Sequence, residues 1–255
     1  MRGEICVGAA SILSFVSLVL LIFVHVSQIN TSTVPRGISL VKVNVSAYGD
    51  ALHRAIIDPV DKLYTTNSSA PLEASAGLRQ FYLFGLYSHC GYVNTSAGIC
   101  TNHSIQNQFT PYSSLTSDML ANYTILTNNI FAGTSFFDSD DLGHTSRAAY
   151  WMLLLGTICA ALALLTGVPK RSWTFFLSTF SALVGSVFLL IGAAIWTVMI
   201  KKAQSVNTAM LDTQPPIPAG IEVSTGSALF MIWAAFVTLT VSVVPYMISC
   251  CTFRG

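Results

Sequence analysis

Four long apolar stretches, separated by polar segments of unequal length, dominate the pattern of hydrophobic and polar residues along the chain. They cover residues 5–26, 148–168, 173–200 and 226–250, and none has a Lys, Arg, Asp or Glu in its interior. About 20 helical residues cross the hydrocarbon core of a bilayer, whereas a surface helix of a soluble protein has a polar face. The pattern therefore predicts four membrane-spanning helices.

The first stretch must be distinguished from a cleavable signal peptide, whose apolar region has about 7–15 residues. Here the apolar run at 5–26 is 22 residues long and continues as His25-Val26-Ser27-Gln28, with no small-x-small cleavage site. These features favour a retained span.

The segment between the first two spans, residues 28–147, has its own predicted elements. A β-rich run at 38–45 predicts a strand, and an aromatic run at 78–92 predicts further strand structure with a neighbour at 98–103. Because a structureless segment of this length is unusual in a folded protein, we expect these runs to form a small sheet.

Two helices are predicted in the same segment. One lies within 48–64 and stops near Asp58-Pro59, because proline interrupts the hydrogen bonds of a helix. The other is a single amphipathic helix, predicted from apolar side chains at three- and four-residue spacing, namely Leu115, Met119, Tyr123, Leu126 and Ile130. A second, shorter loop covers residues 201–225.

Composition supports a membrane protein and excludes nucleic-acid binding. Of the 255 residues, 53% are hydrophobic and 9% are charged, whereas soluble domains have about 25% charged residues. The net charge of +1 provides no basic surface for a nucleic acid.

Glycosylation sequons predict the orientation. Six Asn-x-Ser/Thr triplets occur, all within residues 28–147, and they begin at Asn30, Asn44, Asn67, Asn94, Asn102 and Asn122. Glycans are added outside the cytosol, so the 28–147 loop is predicted to be extracellular and both termini cytosolic. Arg2, Lys170-Arg171 and Arg254 would then obey the positive-inside rule, while Lys201-Lys202 would not.

The predicted topology places cysteines on both sides of the membrane. Cys90 and Cys100 lie in the 28–147 loop, and if that loop is luminal each has the other as its evident disulfide partner. Their spacing excludes a CxxC metal site, and we interpret the neighbouring His89 and His103 as polar loop residues. Cys250 and Cys251 lie at the cytosolic end of the fourth span, where they are either S-acylated or small apolar residues ending a helix.

The sequence contains no pattern of catalytic groups within the membrane. Ionisable residues inside spans are the usual markers of function there, and only His25 comes close to that position. We therefore predict no enzymatic activity, cofactor or metal. Small residues at four-residue spacing, such as Gly156 and Ala160, favour close helix packing, either within one bundle or between copies.

The motif in the first loop resembles the signature of the claudin superfamily. Gly85-Leu86-Tyr87 precedes Cys90 and Cys100 at the spacing of the Gly-Leu-Trp-x-x-Cys…Cys pattern, with Tyr87 in place of the tryptophan. The loop contains no tryptophan, so the resemblance does not extend to junction-type pairing. It implies a claudin-like fold class, namely a membrane all-α four-helix bundle with a small extracellular β-sheet domain.

A closer resemblance is to the fungal Sur-seven/PalI family of claudin-like cortical-patch proteins. It rests on the start of the first loop at 28–45, the following Tyr48-Gly49-Asp50-Ala51-Leu52, and Cys90-Gly91-Tyr92. The resemblance implies residence in plasma-membrane patches (eisosomes) and roles in endocytosis, lipid balance and cell-wall integrity. Relatives with a long cytosolic tail act in ambient-pH signalling, whereas this chain has four residues after Cys251.

The leading functional hypothesis is a non-enzymatic scaffold of plasma-membrane microdomains. Its expected partners are the lipid bilayer, with a preference for membrane rich in sterol and sphingolipid, together with other copies of the chain or other cortical membrane proteins. The alternatives are an auxiliary subunit of a channel or receptor, and a PalI-type subunit of pH-response signalling.

Overall fold

A computed structural model of the chain describes residues 2–56, 60, 62–94, 97–132, 134, 136–137, 139–169, 172–211 and 213–252. The helices are α1 (Arg2–Val26), α2 (Thr33–Gly37), α3 (Tyr48–Ile56), α4 (Pro111–Asp118), α5 (Ala121–Phe131), α6 (Ser139–Gly167), α7 (Ser172–Ala203) and α8 (Ser227–Thr252), with a 3₁₀ helix at Gln204–Thr208. The strands are β1 (Val41–Asn44), β2 (Phe81–Phe84), β3 (His89–Val93), β4 (Ala97–Cys100), β5 (Met210–Leu211), β6 (Ile217–Pro218) and β7 (Glu222–Thr225). The predicted helix stop at Asp58-Pro59 lies outside the described residues.

The chain divides into two compact units. The membrane unit consists of Met1–His25, Ala148–Trp196 and Ala228–Gly255, and the loop unit consists of Val26–Arg147 and Thr197–Ser227. Within the described residues, four helical stretches are long and apolar enough to cross a bilayer: Cys6–Val26, Asp140–Gly167, Trp173–Thr208 and Ser227–Ile248. The chain is a multi-pass membrane protein, and the predicted fold class of a helical bundle with a small antiparallel sheet is confirmed.

Small residues bring helices of the membrane unit together. A Cβ atom added to Gly156 on α6 would lie 2.6 Å from Leu189 Cδ2, and one added to Gly185 on α7 would lie 2.9 Å from Cys159 Cβ. Ser178 Oγ on α7 also donates a hydrogen bond to the carbonyl of Ala163 on α6, at 2.7 Å. These residues are therefore used for packing within one bundle.

Hydroxyl groups join α1 to α8 inside the same unit. Ser14 Oγ lies 3.3 Å from Ser242 Oγ and 3.2 Å from the Tyr246 hydroxyl, while Ser17 Oγ donates to the Ala235 carbonyl at 2.8 Å. Interhelical hydrogen bonds of this kind hold helices together in lipid, where water cannot replace them. Other side chains on the helices of the membrane unit are apolar and exposed, as lipid contact requires, including Ile12, Phe15, Phe176, Phe180 and Phe230.

The loop unit is built on a five-stranded antiparallel sheet with the order β4-β3-β2-β1-β7. The predicted β runs of the first loop form β1 to β4. The fifth strand, β7, comes from the second loop, and its Ser224 is paired with Lys42 of β1 although 182 residues separate them. No local pattern had indicated this pairing.

The two faces of the sheet differ in burial. Side chains of one face are buried in the core of the loop unit: Val41, Val43, Tyr82 and Phe84. Alternate residues point to the opposite face, where exposed Lys42 and half-buried Phe81 and Leu83 lie.

The prediction of a single amphipathic helix from Leu115 to Ile130 was wrong. The chain forms two helices there, α4 and α5, which are separated by extended residues. The reason lies at the end of α4. The carbonyls of Ser117 and Asp118 accept hydrogen bonds from the backbone N–H groups of Ser75 and Gly77, at 2.9 and 2.8 Å. Those carbonyls are therefore not available to continue the helix.

Candidate functional site

The two loop cysteines occupy directly opposite positions on neighbouring strands. Cys90 of β3 is paired in register with Cys100 of β4, and the two sulfurs form a disulfide with an S–S distance of 2.03 Å. The predicted disulfide is confirmed. It joins the two strands at the edge of the sheet, so that β4 cannot separate from β3 while the bond is intact.

Gln28, at the beginning of the first loop, connects that segment to strand β3. Its side-chain Nε2 donates to the carbonyls of Pro35 and Ile38, at 3.0 and 2.8 Å. Its Oε1 accepts from the Tyr92 hydroxyl at 3.1 Å, and its backbone carbonyl accepts from Ser88 Oγ at 2.6 Å. Gln28 is fully buried, so these bonds replace those it would make with water.

The glycine of the claudin-like motif lies against the same segment. A Cβ atom on Gly85 would lie 2.8 Å from Gln28 Cβ, closer than real Cβ atoms approach, and would also meet the Ser27 carbonyl oxygen. Leu86 is buried beside it, and Tyr87 is half-buried. Gly85 and Cys90 are therefore brought together around Ser27 and Gln28, and the motif holds the beginning of the loop onto the sheet.

A second cluster, formed by Arg79, Tyr82 and Asp118, lies in the core of the loop unit. Arg79 Nη1 and Asp118 Oδ2 form an ion pair at 2.9 Å, with both side chains fully buried. Asp118 also accepts hydrogen bonds from the Tyr82 hydroxyl and the Glu73 backbone N–H, both at 2.6 Å. The Nη2 group of Arg79 donates to the Ala70 carbonyl. Burying charges is costly, and this cluster offsets the cost by hydrogen-bonding both partners.

Gly91 provides the space that the Arg79 side chain occupies. A Cβ atom at Gly91 would lie 2.8 Å from Leu72 Cδ2 and 3.3 Å from Arg79 Nε. A larger residue would therefore push against the guanidinium group and against Leu72. This explains the Cys90-Gly91-Tyr92 triplet: Cys90 forms the disulfide, Gly91 makes room for Arg79, and Tyr92 binds Gln28.

The sequence model of the SUR7/PalI family matches residues 6–245 of the chain. The chain belongs to the SUR7/PalI family. The match runs from α1 into α8 and includes the whole loop unit with both clusters. No individual curated protein matches the chain significantly.

His89 of this SUR7/PalI protein is not the polar loop residue that was predicted, because it lies in β3 with only 5% of its surface exposed. Its ring stacks on Phe84, and its Nε2 lies 3.6 Å from Glu73 Oε1. Burial and the Arg79 guanidinium lower the pKa of His89 to about 4.

The pKa of Tyr82 is shifted in the opposite direction. Burial is the main cause and the Asp118 carboxylate the second, and together they raise this pKa well above its usual value. Within the described residues, no group of three or more His, Cys, Asp and Glu is placed to hold a metal ion.

All six sequon asparagines of the SUR7/PalI protein belong to the loop unit. Asn44 is half-buried in β1, and the other five are exposed. In the sequons at Asn30 and Asn44, the asparagine Oδ1 accepts a hydrogen bond from the serine N–H two residues later, at 3.0 Å in both. Glycosylation itself stays a prediction.

Cys250 and Cys251 belong to the last turn of α8, and their side chains lie outside the described residues.

Gln28, Arg79 and Asp118 were not identified as site residues from the sequence. Two of them did carry a signal: Arg79 is the sole Lys or Arg in the aromatic run at 78–92, and Asp118 is the sole acidic residue between Leu115 and Ile130. A lone charge in an otherwise apolar pattern indicates a buried partner, since isolated charges are rarely buried. Gln28 carried no such signal, because polar residues are ordinary at the beginning of a loop.

Proposed function

We propose that this SUR7/PalI-family protein is a non-enzymatic scaffold of the plasma membrane. It organises eisosome-like patches, and through them affects endocytosis, membrane lipid balance and cell-wall integrity. The observation that carries the proposal is the family match over residues 6–245, which includes the membrane spans as well as the loop unit.

The placement of polar groups in the loop unit supports a structural role. Arg79, Asp118 and Gln28 are fully buried and make their hydrogen bonds within the unit. A catalytic group must reach a substrate, whereas these groups fasten one segment to another. Together with the Cys90–Cys100 disulfide, they give the unit a fixed shape, which suits a surface that other molecules pack against.

The topology belongs to the same proposal: the loop unit lies outside the cell and both termini lie in the cytosol. Glycosidase treatment of protein from a glycosylating host should increase its electrophoretic mobility. The six single Asn→Gln variants then identify the occupied sites, each as the loss of one glycan from the untreated protein. An unchanged mobility for the wild type would contradict the extracellular assignment.

Assembly and lateral distribution test the scaffold directly. Purification in a mild detergent should give homo-oligomers, and a fluorescent fusion should form plasma-membrane patches that recover slowly after photobleaching. Stoichiometric co-purification of a channel or receptor would instead establish the auxiliary-subunit function. A uniform, freely diffusing distribution of a correctly folded protein would refute the scaffold.

S-acylation at the cytosolic end of α8 would contribute to this distribution. Acyl chains on Cys250 and Cys251 favour ordered membrane, while the four spans already secure attachment. A double Cys→Ser variant should therefore reach the plasma membrane but spread more evenly than the wild type, with Cys159→Ser as the control. Unchanged patches, with no acyl groups detected on the wild type, would leave both cysteines as ordinary helix-end residues.

A further inference from the structure

A groove runs across the loop unit between the outer face of the sheet and the segment that precedes β1. Its volume is about 410 Å³, within the range of small-ligand sites. Its floor comes from strands β1 to β3, and its wall comes from the segment around α2. Its lining includes Thr31, Thr33, Arg36, Lys42, Phe81 and Leu83.

Two cations line this groove, and both are held over aromatic rings. The Arg36 guanidinium carbon lies 5.3 Å from the centre of the Tyr92 ring, and Lys42 Nζ lies 5.1 Å from the centre of the Phe81 ring. Cation–π contacts of this kind hold a positive group in a defined position. None of the described residues that line the groove is acidic. The groove therefore has a positive potential that attracts an anion.

One wall of the groove is attached to the beginning of a membrane span. The Gly37 carbonyl accepts a hydrogen bond from Ser227 Oγ at 3.2 Å, and the Leu40 carbonyl accepts from the Gly226 N–H at 2.9 Å. Ser227 is the first residue of α8 and of its membrane-spanning stretch. Gly37, which lines the groove, is thus hydrogen-bonded to the residue at which a stretch long and apolar enough to cross a bilayer begins.

We propose that this groove binds the phosphate group of a membrane lipid headgroup. Arg36 and Lys42 contact the phosphate oxygens, the hydroxyls of Thr31 and Thr33 offer hydrogen bonds, and Phe81 with Leu83 contacts the apolar part of the headgroup. Clusters of Lys and Arg recognise anionic lipid headgroups through the same chemistry. This inference goes beyond the scaffold proposal and holds on whichever side of the membrane the loop unit lies.

Native mass spectrometry of the full-length protein in detergent tests the ligand class. The probes are dioctanoyl phosphatidic acid, dioctanoyl phosphatidylinositol, and dioctanoylglycerol, which lacks the phosphate. Both phospholipids should bind at least about tenfold more tightly than dioctanoylglycerol. Equal binding of all three would overturn the proposal. Displacement of the phospholipids by an equal concentration of inorganic phosphate would show a free-anion site instead of a lipid site.

Matched variants test the location. Asn94→Asp adds a negative charge inside the groove, whereas Asn102→Asp adds the same charge outside it, and each removes one sequon from an exposed position. Asn94→Asp should weaken phospholipid binding about tenfold, and Asn102→Asp should leave it unchanged. Equal effects of the two substitutions would refute a site in the groove.

Charge removal provides a second, independent comparison. The double variant Arg36→Gln/Lys42→Gln should lose phospholipid binding, while Arg54→Gln/Lys201→Gln, which removes two exposed charges elsewhere in the loop unit, should retain it. Thermal unfolding of each variant establishes that it is folded. Retained binding in a folded Arg36→Gln/Lys42→Gln variant would overturn the proposal, whatever the outcome of the assembly experiments above.

Discussion

Arg79 and Asp118 form an ion pair that water does not reach, with Arg79 Nη1 2.9 Å from Asp118 Oδ2 and both side chains fully buried. The pair joins the segment before β2 to the end of α4, which are 39 residues apart in the sequence. Because Tyr82 and Glu73 also bind the same carboxylate, the pair is the centre of the polar core of the loop unit.

Removal of one partner should destabilise the protein strongly. Arg79→Ala leaves a buried carboxylate without its cation, which costs about 3–5 kcal/mol. Lys202→Ala breaks the half-exposed ion pair with Asp141, where screening by solvent reduces the cost to about 0–1 kcal/mol. Thermal unfolding in detergent should therefore show a much lower midpoint for Arg79→Ala than for Lys202→Ala. Similar midpoints for the two variants would contradict the importance of the buried pair.

Gly91 should not tolerate a side chain. The Cβ atom of Gly91→Ala would meet Leu72 and Arg79 at the distances given above, and the strain should cost about 1–3 kcal/mol. The matched control is Gly37→Ala, since a Cβ there would have nothing within 4 Å. The unfolding midpoint should fall for Gly91→Ala alone. Wild-type midpoints for both variants would contradict the close packing of Arg79 against Gly91.

Loss of either cysteine should free its partner and weaken the sheet edge. In a small secreted domain, removal of a native disulfide costs about 2–5 kcal/mol, so Cys90→Ser and Cys100→Ser should be retained in the secretory pathway. Alkylation under denaturing conditions should detect one additional thiol in each single variant and none in Cys90→Ser/Cys100→Ser. Normal surface delivery of the single variants would show that the disulfide is dispensable for folding.

Acidification should destabilise the loop unit through His89. The pKa of His89 is about 4 in the folded protein and about 6.5 when exposed, so the unfolded chain binds the proton more readily. The stabilising contribution is fully present above pH 6.5 and is lost as the pH falls toward 4, by about 3 kcal/mol. His89→Gln should flatten the dependence of the unfolding midpoint on pH between 6.5 and 4. The control His144→Gln, at an exposed position, should keep the wild-type slope.

Local sequence patterns were sufficient to predict the spans and most elements of the first loop. Each span is recognisable because it is long, largely apolar and free of Lys, Arg, Asp and Glu in its interior, and β1 was anticipated because its residues favour an extended backbone. The break between α4 and α5 was not anticipated, since it depends on Ser75 and Gly77 taking the carbonyls of Ser117 and Asp118. Periodicity within the helix contains no information about those distant amides.

The contacts of the candidate sites escaped prediction for the same reason. Gln28 forms a hydrogen bond with Tyr92 across 64 residues, and the Arg36 guanidinium lies over the ring of the same tyrosine. Neither pairing has a characteristic spacing. The motif residues Gly85 and Cys90 were identified by resemblance, but the segment that they hold became evident only from the folded arrangement.

The pairing of β1 with β7 has a consequence for biosynthesis. Strand β1 is made early, but its partner follows Lys42 by 182 residues, which takes about 10–40 s at ordinary rates of translation. Throughout that interval β1 presents an open edge to other nascent chains, and such edges promote aggregation. We therefore expect slower translation within the third span to lengthen the time for which this edge is open, and so to increase the yield of aggregated protein.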